Sequence, residues 1–549
     1  MKETNLTLRN KLALALLGAA VIAGPVSARD LPRVERQGEA IQLIVDGSPY
    51  PVLAGEVHNS SPSSPTYMAP IWDKLARNDV RTVIGAASWE LVEPEEGRFD
   101  FRAVDDQIRQ ARAHGIRLVL IWFGAYKNAE SGYAPTWVRA DQTRFPRARR
   151  DPAAKLQGIA NFLRNGVALS VFNDRLVDAD ARAFAALMRH VREVDKDQTV
   201  ILMQVENEVG LLGDSRDRSP GAEAAWAQPV PGDLLANLQR NTANLNPHVR
   251  QIWERNGSRT SGTWAEVFGT DKAADEIFMA WGFGRYVEKV ARAGAEQYRL
   301  PMYANAWLGP QAKSPEPGDY PSGGPVARMM DVWKAAAPTL AFLSPDIYID
   351  EFESTLTDFR RADNPIFVPE ARPLTANLFL ALGNHSAIGF SPFGIEDVPD
   401  GHDLFKAYRV LNTLAPQIAR SQQEGRIRGF KTGTGKIDRQ SLGGYDITVI
   451  GARSSEGFAG AGTGTAAAAN QEGYGLIMQT GEAEFLIVAR GANLMFSRPG
   501  SQIEVDRAQE GSFENGEWVP GRTLNGDERH ALFPQDKLGI VKVRLLQSR

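Results

Sequence analysis

Between residues 40 and 420, short apolar runs alternate with amphipathic stretches of helical period, and this alternation limits the chain to a fold built on a parallel sheet. Strands are predicted at 52–57, 80–88, 116–121, 200–205, 302–305, 340–343, 365–368 and 387–390. Helices are predicted at 67–77, 102–114, 179–195 and 271–297, with a last one over 402–414. Parallel neighbours need a crossover, because the chain must return along the sheet before re-entering it in the same direction. Eight such repeats in about 380 residues suit a (β/α)8 barrel with insertions, the longest over 211–270. An open doubly wound sheet calls for a Gly-rich phosphate turn after an early strand, and the sequence has none.

After residue 422 the texture changes. Strand patterns at 445–450, 483–488 and 540–545 are separated by Gly-rich breaks, and 457–469 is rich in small residues. A β-sandwich is expected. At the other end, Lys2, Arg9 and Lys11 precede an apolar stretch at 12–24 that is short for a bilayer span, and Val26-Ser27-Ala28 offers a small-residue cleavage site. The expected organisation is a signal peptide at 1–28, a catalytic barrel at 29–422 and a C-terminal β-sandwich at 423–549. The mature protein is then expected in the periplasm or the medium, with no attachment to the membrane once the leader is removed.

A net charge of −4 gives no basic field for nucleic acid. With no cysteine in the chain, disulfides, thiolate catalysis and Cys-based zinc sites are excluded. The seven His are scattered and form no metal motif, so neither metal nor cofactor is expected.

Barrel enzymes carry reactive groups where strands end, because the loops there form one open face. The fourth predicted strand ends Gln204-Val205-Glu206-Asn207-Glu208-Val209-Gly210, and the seventh ends Pro369-Glu370-Ala371-Arg372-Pro373. Strands four and seven face each other across a barrel mouth, so a Glu from each can flank one sugar. Retaining glycoside hydrolysis needs such a pair about 5–5.5 Å apart, one protonating the leaving oxygen and the other attacking the anomeric carbon. The Asn-Glu pair resembles the acid/base signature of the large clan of retaining barrel glycosidases, in which the Asn binds the sugar 2-hydroxyl. Glu208 is therefore the predicted acid/base, Glu370 the nucleophile and Asn207 a substrate ligand. Glu206 is expected to be structural, one pleat deeper and inside the barrel.

The segment from Trp89 through Glu93-Pro94, Gly97 and Phe99-Asp100-Phe101, with the strand-four motif, resembles glycoside hydrolase family 35, the β-galactosidases. Gly55-Glu56-Val57-His58-Asn59 is similar to that family's first-strand turn, and Gly124-Ala125-Tyr126 to its third-strand loop. Val209 departs from the usual aromatic. Glu90 and Val92 stand where many members have Asn and His. Lys127-Asn128-Ala129-Glu130 replaces the segment that helps hold galactose. Family 42 is the nearest alternative. The resemblance implies a retaining, exo-acting β-galactosidase of a bacterial branch, taking carbohydrate substrates such as plant cell-wall oligosaccharides. A β-glucosidase or an endo-acting glycanase of the same clan is the alternative among enzymes. A non-catalytic sugar-binding barrel is the alternative outside them.

Sugar C–H faces pack on aromatic rings. Trp122, Trp307 and Tyr348, near the ends of strands three, five and six, are predicted to line the site, with Tyr348 also reaching the nucleophile. Lys127, Asn128 and Glu130 are the polar candidates from the third-strand loop. Trp226, Trp253 and Trp264 lie in the insertion, where packing is the expected role.

Overall fold

The computed structural model describes residues 30–153, 167–452, 472–514, 516–530, 532–535 and 537–548. The predicted leader and the segment 457–469 lie outside the described residues. Three strands come first, β1 (Arg33–Gln37), β2 (Ala40–Val45) and β3 (Ser48–Pro49), paired as an antiparallel sheet. The sequence reading gave them no role.

Eight parallel strands follow: β4 (Val52–Glu56), β5 (Thr82–Ser88), β6 (Arg117–Lys127), β7 (Val200–Asn207), β8 (Met302–Trp307), β9 (Phe342–Asp346), β10 (Phe367–Ala371) and β11 (Gly389–Pro392). They pair in sequence order, and β11 returns to β4 with Gly389 opposite Val52. The remaining seam, between β9 and β10, is held by an Ile347–Ala371 bridge. The Asn364 side chain reinforces it, accepting from Leu343 N–H at 2.9 Å and donating to Leu343 C=O at 3.0 Å. The fold is a (β/α)8 barrel.

Inward residues fill the bore. Ala54, Ile84, Val119, Ile121, Phe123, Leu202, Tyr303, Phe342 and Phe367 form one buried cluster, while Leu118, Leu120 and Trp122 on β6 belong to the layer between sheet and helices. Tyr303 stacks on Phe342 at 5.3 Å between ring centres and meets Phe367 edge-on at 5.4 Å. Each large side chain so buried is worth about 1.5–3 kcal/mol. Leu43 and Val45 of β2 belong to the same cluster, so the N-terminal sheet closes the lower end of the bore. Gln42 ties that sheet to the last helix of the barrel region, Ala415–Gln423, by donating to Ala419 C=O at 2.9 Å.

The barrel helices start where short polar side chains can cap them. Ser64 accepts from Tyr67 N–H ahead of helix Pro65–Arg77, and Asn173 accepts from Leu176 N–H ahead of helix Asp174–Val194. The 211–270 insertion folds as short helices, including Pro220–Trp226, Gly232–Arg240, Pro247–Arg255 and Trp264–Phe268. Among the described residues no helix is long and apolar enough to cross a membrane.

Beyond the barrel come β12 (Ile427–Thr432), β13 (Ile437–Leu442), β14 (Tyr445–Gly451), β15 (Gly473–Gly481), β16 (Glu484–Arg490), β17 (Ala492–Ser497), β18 (Gln502–Glu514), β19 (Glu517–Leu524) and β20 (Gly539–Ser548). They form a six-stranded sheet, β12-β15-β16-β20-β18-β19, and a three-stranded sheet, β13-β14-β17. Ile447 and Val449 from one sheet and Ile477, Phe485, Ile487, Val541 and Val543 from the other share a buried core, so this region is a β-sandwich. The larger sheet's other face packs on the barrel, with Tyr474 5.0 Å from Phe379 of helix Thr375–Asn384. Contact there is backbone to backbone: a Cβ added to Gly383 would lie 2.1 Å from Gly429 N.

Candidate active site

The end of β7 breaks the alternation of its strand. Leu202 faces the bore, so regular alternation turns Glu206 inward as well. Instead Glu206 has φ 62° and Glu208 φ 45°, left-handed conformations that side chains rarely adopt. The first turns the Glu206 carboxylate out toward the helix layer. There it accepts from Tyr126 N–H at 2.8 Å and Ala125 N–H at 3.2 Å, and lies beside Asp180 of helix Asp174–Val194. Asp180 in turn accepts from Trp122 Nε1 at 2.7 Å and Tyr286 Oη at 2.8 Å. Gly124 makes room for the group, since a Cβ there would come within 2.5 Å of both Glu206 and Trp122. Burial first, and then the Asp180 charge, push Glu206 well above the usual carboxylate range.

Two expectations are corrected here. Glu206 is structural, but it lies outside the barrel wall rather than inside the bore. Trp122 is fully buried in the same outer layer, against Phe184, and lines no part of the mouth. The alternation of β6 requires this, because Ile121 and Phe123 on either side of Trp122 face inward.

The strained backbone of Glu208 is held from both sides. Its N–H donates to Asn305 Oδ1 of β8 at 3.0 Å, and its C=O accepts from Ala129 N–H at 3.1 Å. Asn305 Nδ2 donates to Asp346 Oδ2 of β9 at 2.6 Å. This fixes the Glu208 carboxyl at the mouth, within hydrogen-bonding reach of the Asp346 carboxyl. Burial first, and then the Glu370 charge, raise Glu208 to about 7. Asp346 and Glu56 are pushed up for the same two reasons.

Glu370, on β10, is 7% exposed, and its Oε1 accepts from Tyr348 Oη at 2.5 Å. Its Oε2 has no hydrogen-bond partner among the described residues. Arg372 pairs with Asp350 at 3.3 Å, not with Glu370. Lys127, at the end of β6, donates to Asn207 Oδ1 at 3.0 Å, while Asn207 Nδ2 is buried without a partner among the described residues.

Glu208, Glu370, Asn207, Lys127 and Tyr348 are therefore gathered at one end of the barrel. Trp307 is half-buried at the end of β8, packed on Ala129 and Leu212 at the rim. Asn128 differs: its side chain is exposed, and what it contributes is a backbone N–H to Asn207 C=O at 3.3 Å. Glu130 exchanges backbone hydrogen bonds with Lys127 and faces the charge of Arg150. Trp253 and Trp264 are buried within the insertion and Trp226 packs on Phe278, as expected of insertion packing. A cavity of about 540 Å³ lined by Phe172, Trp264, Phe278 and Trp281 lies in this outer region, away from the carboxylates.

Sequence reasoning missed three mouth residues, Glu56, Asn305 and Asp346. Glu56 was legible as the residue two beyond bore-facing Ala54 on the first barrel strand. Asp346 was read as following a strand that ends at 343, whereas β9 runs on to it. Among the described residues no group of three or more His, Cys, Asp or Glu is placed to hold a metal ion.

The Glyco_hydro_42 family model, described as Beta-galactosidase, matches residues 66–254, and a domain of unknown function (DUF5597) matches residues 404–534. A β-galactosidase of Xanthomonas manihotis is 32% identical over 209 residues, which is 37% of this chain and 30% of that protein. The chain thus spans less than a third of the length of that relative. Crystal structures of similar shape include the β-galactosidase of Rahnella sp. R3, 16% identical over 67% of this chain and 57% of that one, at a TM-score of 0.43. Another is the β-galactosidase of the psychrophilic Marinomonas ef1, 12% identical over 67% of this chain and 61% of that one, also at 0.43. The stretch 66–254, which carries β5 to β7 and the Asn207-Glu208 pair, is glycoside-hydrolase-like in sequence. The matched model is that of family 42, second in the sequence reading, rather than family 35.

Proposed function

We propose that this chain is a retaining β-galactosidase that releases terminal β-linked galactose by double displacement. The observation that carries the reading is that buried Glu208, raised to about 7 by burial and the Glu370 charge, shares the barrel mouth with Glu370, whose Oε1 accepts from Tyr348 Oη. Glu370 Oε2, which has no partner among the described residues, attacks the anomeric carbon as the glycosidic C–O bond breaks. The Glu208 proton passes to the leaving oxygen. In the second step the Glu208 carboxylate takes a proton from water, the water oxygen attacks the anomeric carbon, and Glu370 is released. Two displacements return the β configuration.

The match to the Glyco_hydro_42 model and the identity to a β-galactosidase support galactose as the sugar. The strand motifs resemble family 35, so we place the chain among the retaining barrel glycosidases that include both families. Exo action and export through the 1–28 leader are parts of the same proposal. Hydrolysis of a panel of nitrophenyl β-glycosides tests it. A clear preference in kcat/KM for the galactoside over the glucoside is expected, and equal values would refute galactose specificity. Sequencing of the mature N-terminus from the native host is expected to begin near Arg29.

A further inference from the structure

Glu56 ends β4 two residues beyond Ala54, whose side chain lines the bore, and the residue is 1% exposed. The charges that act on it come from around the mouth: Glu370 of β10, Lys127 of β6, Glu208 beyond β7 and Glu396 beyond β11. Lys127 is committed to Asn207, and Glu396 Oε1 accepts from Ser61 Oγ and His58 N–H, both at 2.8 Å, which leaves Glu396 Oε2 without a partner among the described residues. Glu56 Oε1 has no hydrogen-bond partner among the described residues. A buried carboxyl oxygen without a partner beside a reacting centre is an acceptor waiting for a ligand's hydroxyl.

Placement decides which hydroxyl. A sugar whose anomeric carbon lies at Glu370 and Glu208 turns the adjacent hydroxyl to Asn207 Nδ2, a donor without a partner among the described residues. Its opposite edge then faces the sector from β4 to β6, where Glu56 offers a buried acceptor. We propose that Glu56 determines substrate specificity by accepting from the 3- and 4-hydroxyls of the reacting sugar. This deepens the glycosidase reading above and rests on it. It also reassigns a contact that sequence reasoning gave to Lys127, Asn128 and Glu130.

The test is kcat/KM for nitrophenyl β-galactoside and its 3-deoxy and 4-deoxy analogues, on the wild type, Glu56→Ala and Glu56→Gln, with melting curves for each. The wild type is expected to disfavour at least one deoxy sugar by about 100-fold, because a site built to bond a hydroxyl rejects the analogue lacking it. In Glu56→Ala that penalty is expected to collapse to within about fivefold, through loss of activity on the parent sugar. Glu56→Gln keeps the shape of the side chain, serves where Glu56→Ala does not fold, and is expected to fall between. A wild type that turns over all three sugars equally overturns the inference, as does a penalty unchanged in both variants or one uniform loss across the three substrates. A wild type that hydrolyses no glycoside overturns the glycosidase reading and this inference together.

Discussion

Two acidic clusters meet near the end of β7, one between β6, β7 and the helix layer and the other spread around the barrel mouth from β4 to β10, and they are built to opposite ends. Outside the barrel wall, Glu206 and Asp180 are met by Ala125 N–H, Tyr126 N–H, Trp122 Nε1 and Tyr286 Oη. At the mouth, Glu56, Glu208, Asp346 and Glu370 stand around one lysine, and Glu56 Oε1, Glu370 Oε2 and Asn207 Nδ2 have no partners among the described residues. Both clusters are buried, and both hold carboxyls displaced upward by burial and mutual charge. Burial and displaced titration therefore do not separate a site from a scaffold here. Spare hydrogen-bonding capacity does.

Glu370→Gln is the sharpest probe of that contrast. It is expected to lower kcat on the order of 10⁴-fold or more with the melting temperature little changed. Near-wild-type turnover would remove Glu370 from the mechanism. Glu208→Gln follows, with a loss on the order of 10²–10⁴-fold on substrates with poor leaving groups and far less on activated aryl glycosides. Azide added to Glu208→Ala is expected to yield a glycosyl azide of retained β configuration, and an inverted product would contradict the retaining mechanism. The pH dependence comes next. The first step needs Glu208 protonated, so kcat/KM of the wild type is expected to fall as pH rises through about 7. A plateau reaching pH 9 would assign the proton donor elsewhere.

On the outer cluster the expected signature reverses. Glu206→Ala leaves the buried Tyr126 N–H without its acceptor, while Ala125 N–H keeps Asp180 Oδ2 at 3.1 Å, and is expected to cost about 1–3 kcal/mol of stability. Its kcat, measured on folded protein, is expected to stay within about threefold of wild type. Collapse of kcat at an unchanged melting temperature would make Glu206 part of the chemistry. The smallest effect is expected from Trp122→Phe, which removes one buried N–H donor to Asp180. KM is expected to be unchanged, and a substantial rise would put Trp122 back at the mouth.

The strand–helix alternation carried most of the barrel into view, because crossover helices bury both faces of each strand and leave continuous apolar runs. The same pattern places Glu208 and Glu370 at strand ends, Glu370 two residues after the apolar run 366–368 and Glu208 within the polar motif that follows 200–203. What the sequence concealed is tied to backbone detail. The left-handed turn at Glu206 reverses which residues of β7 face in, and nothing in Gln204-Val205-Glu206 announces it. The third strand reads as ending at 121, but β6 runs to Lys127, and that extension removes Trp122 from the strand end. Asn305 and Asp346 act through side-chain bridges between neighbouring strands, and such pairing leaves no local pattern.

The sheet that closes the lower end of the bore has a consequence for the order of assembly. Gln42 donates to Ala419 C=O across 377 positions and accepts from Gln423 Nε2 across 381. Contacts so distant along the chain form late, because the intervening segment must be made and brought round before they can close. The lower seal of the bore is therefore expected to form only once the helix Ala415–Gln423 is in place.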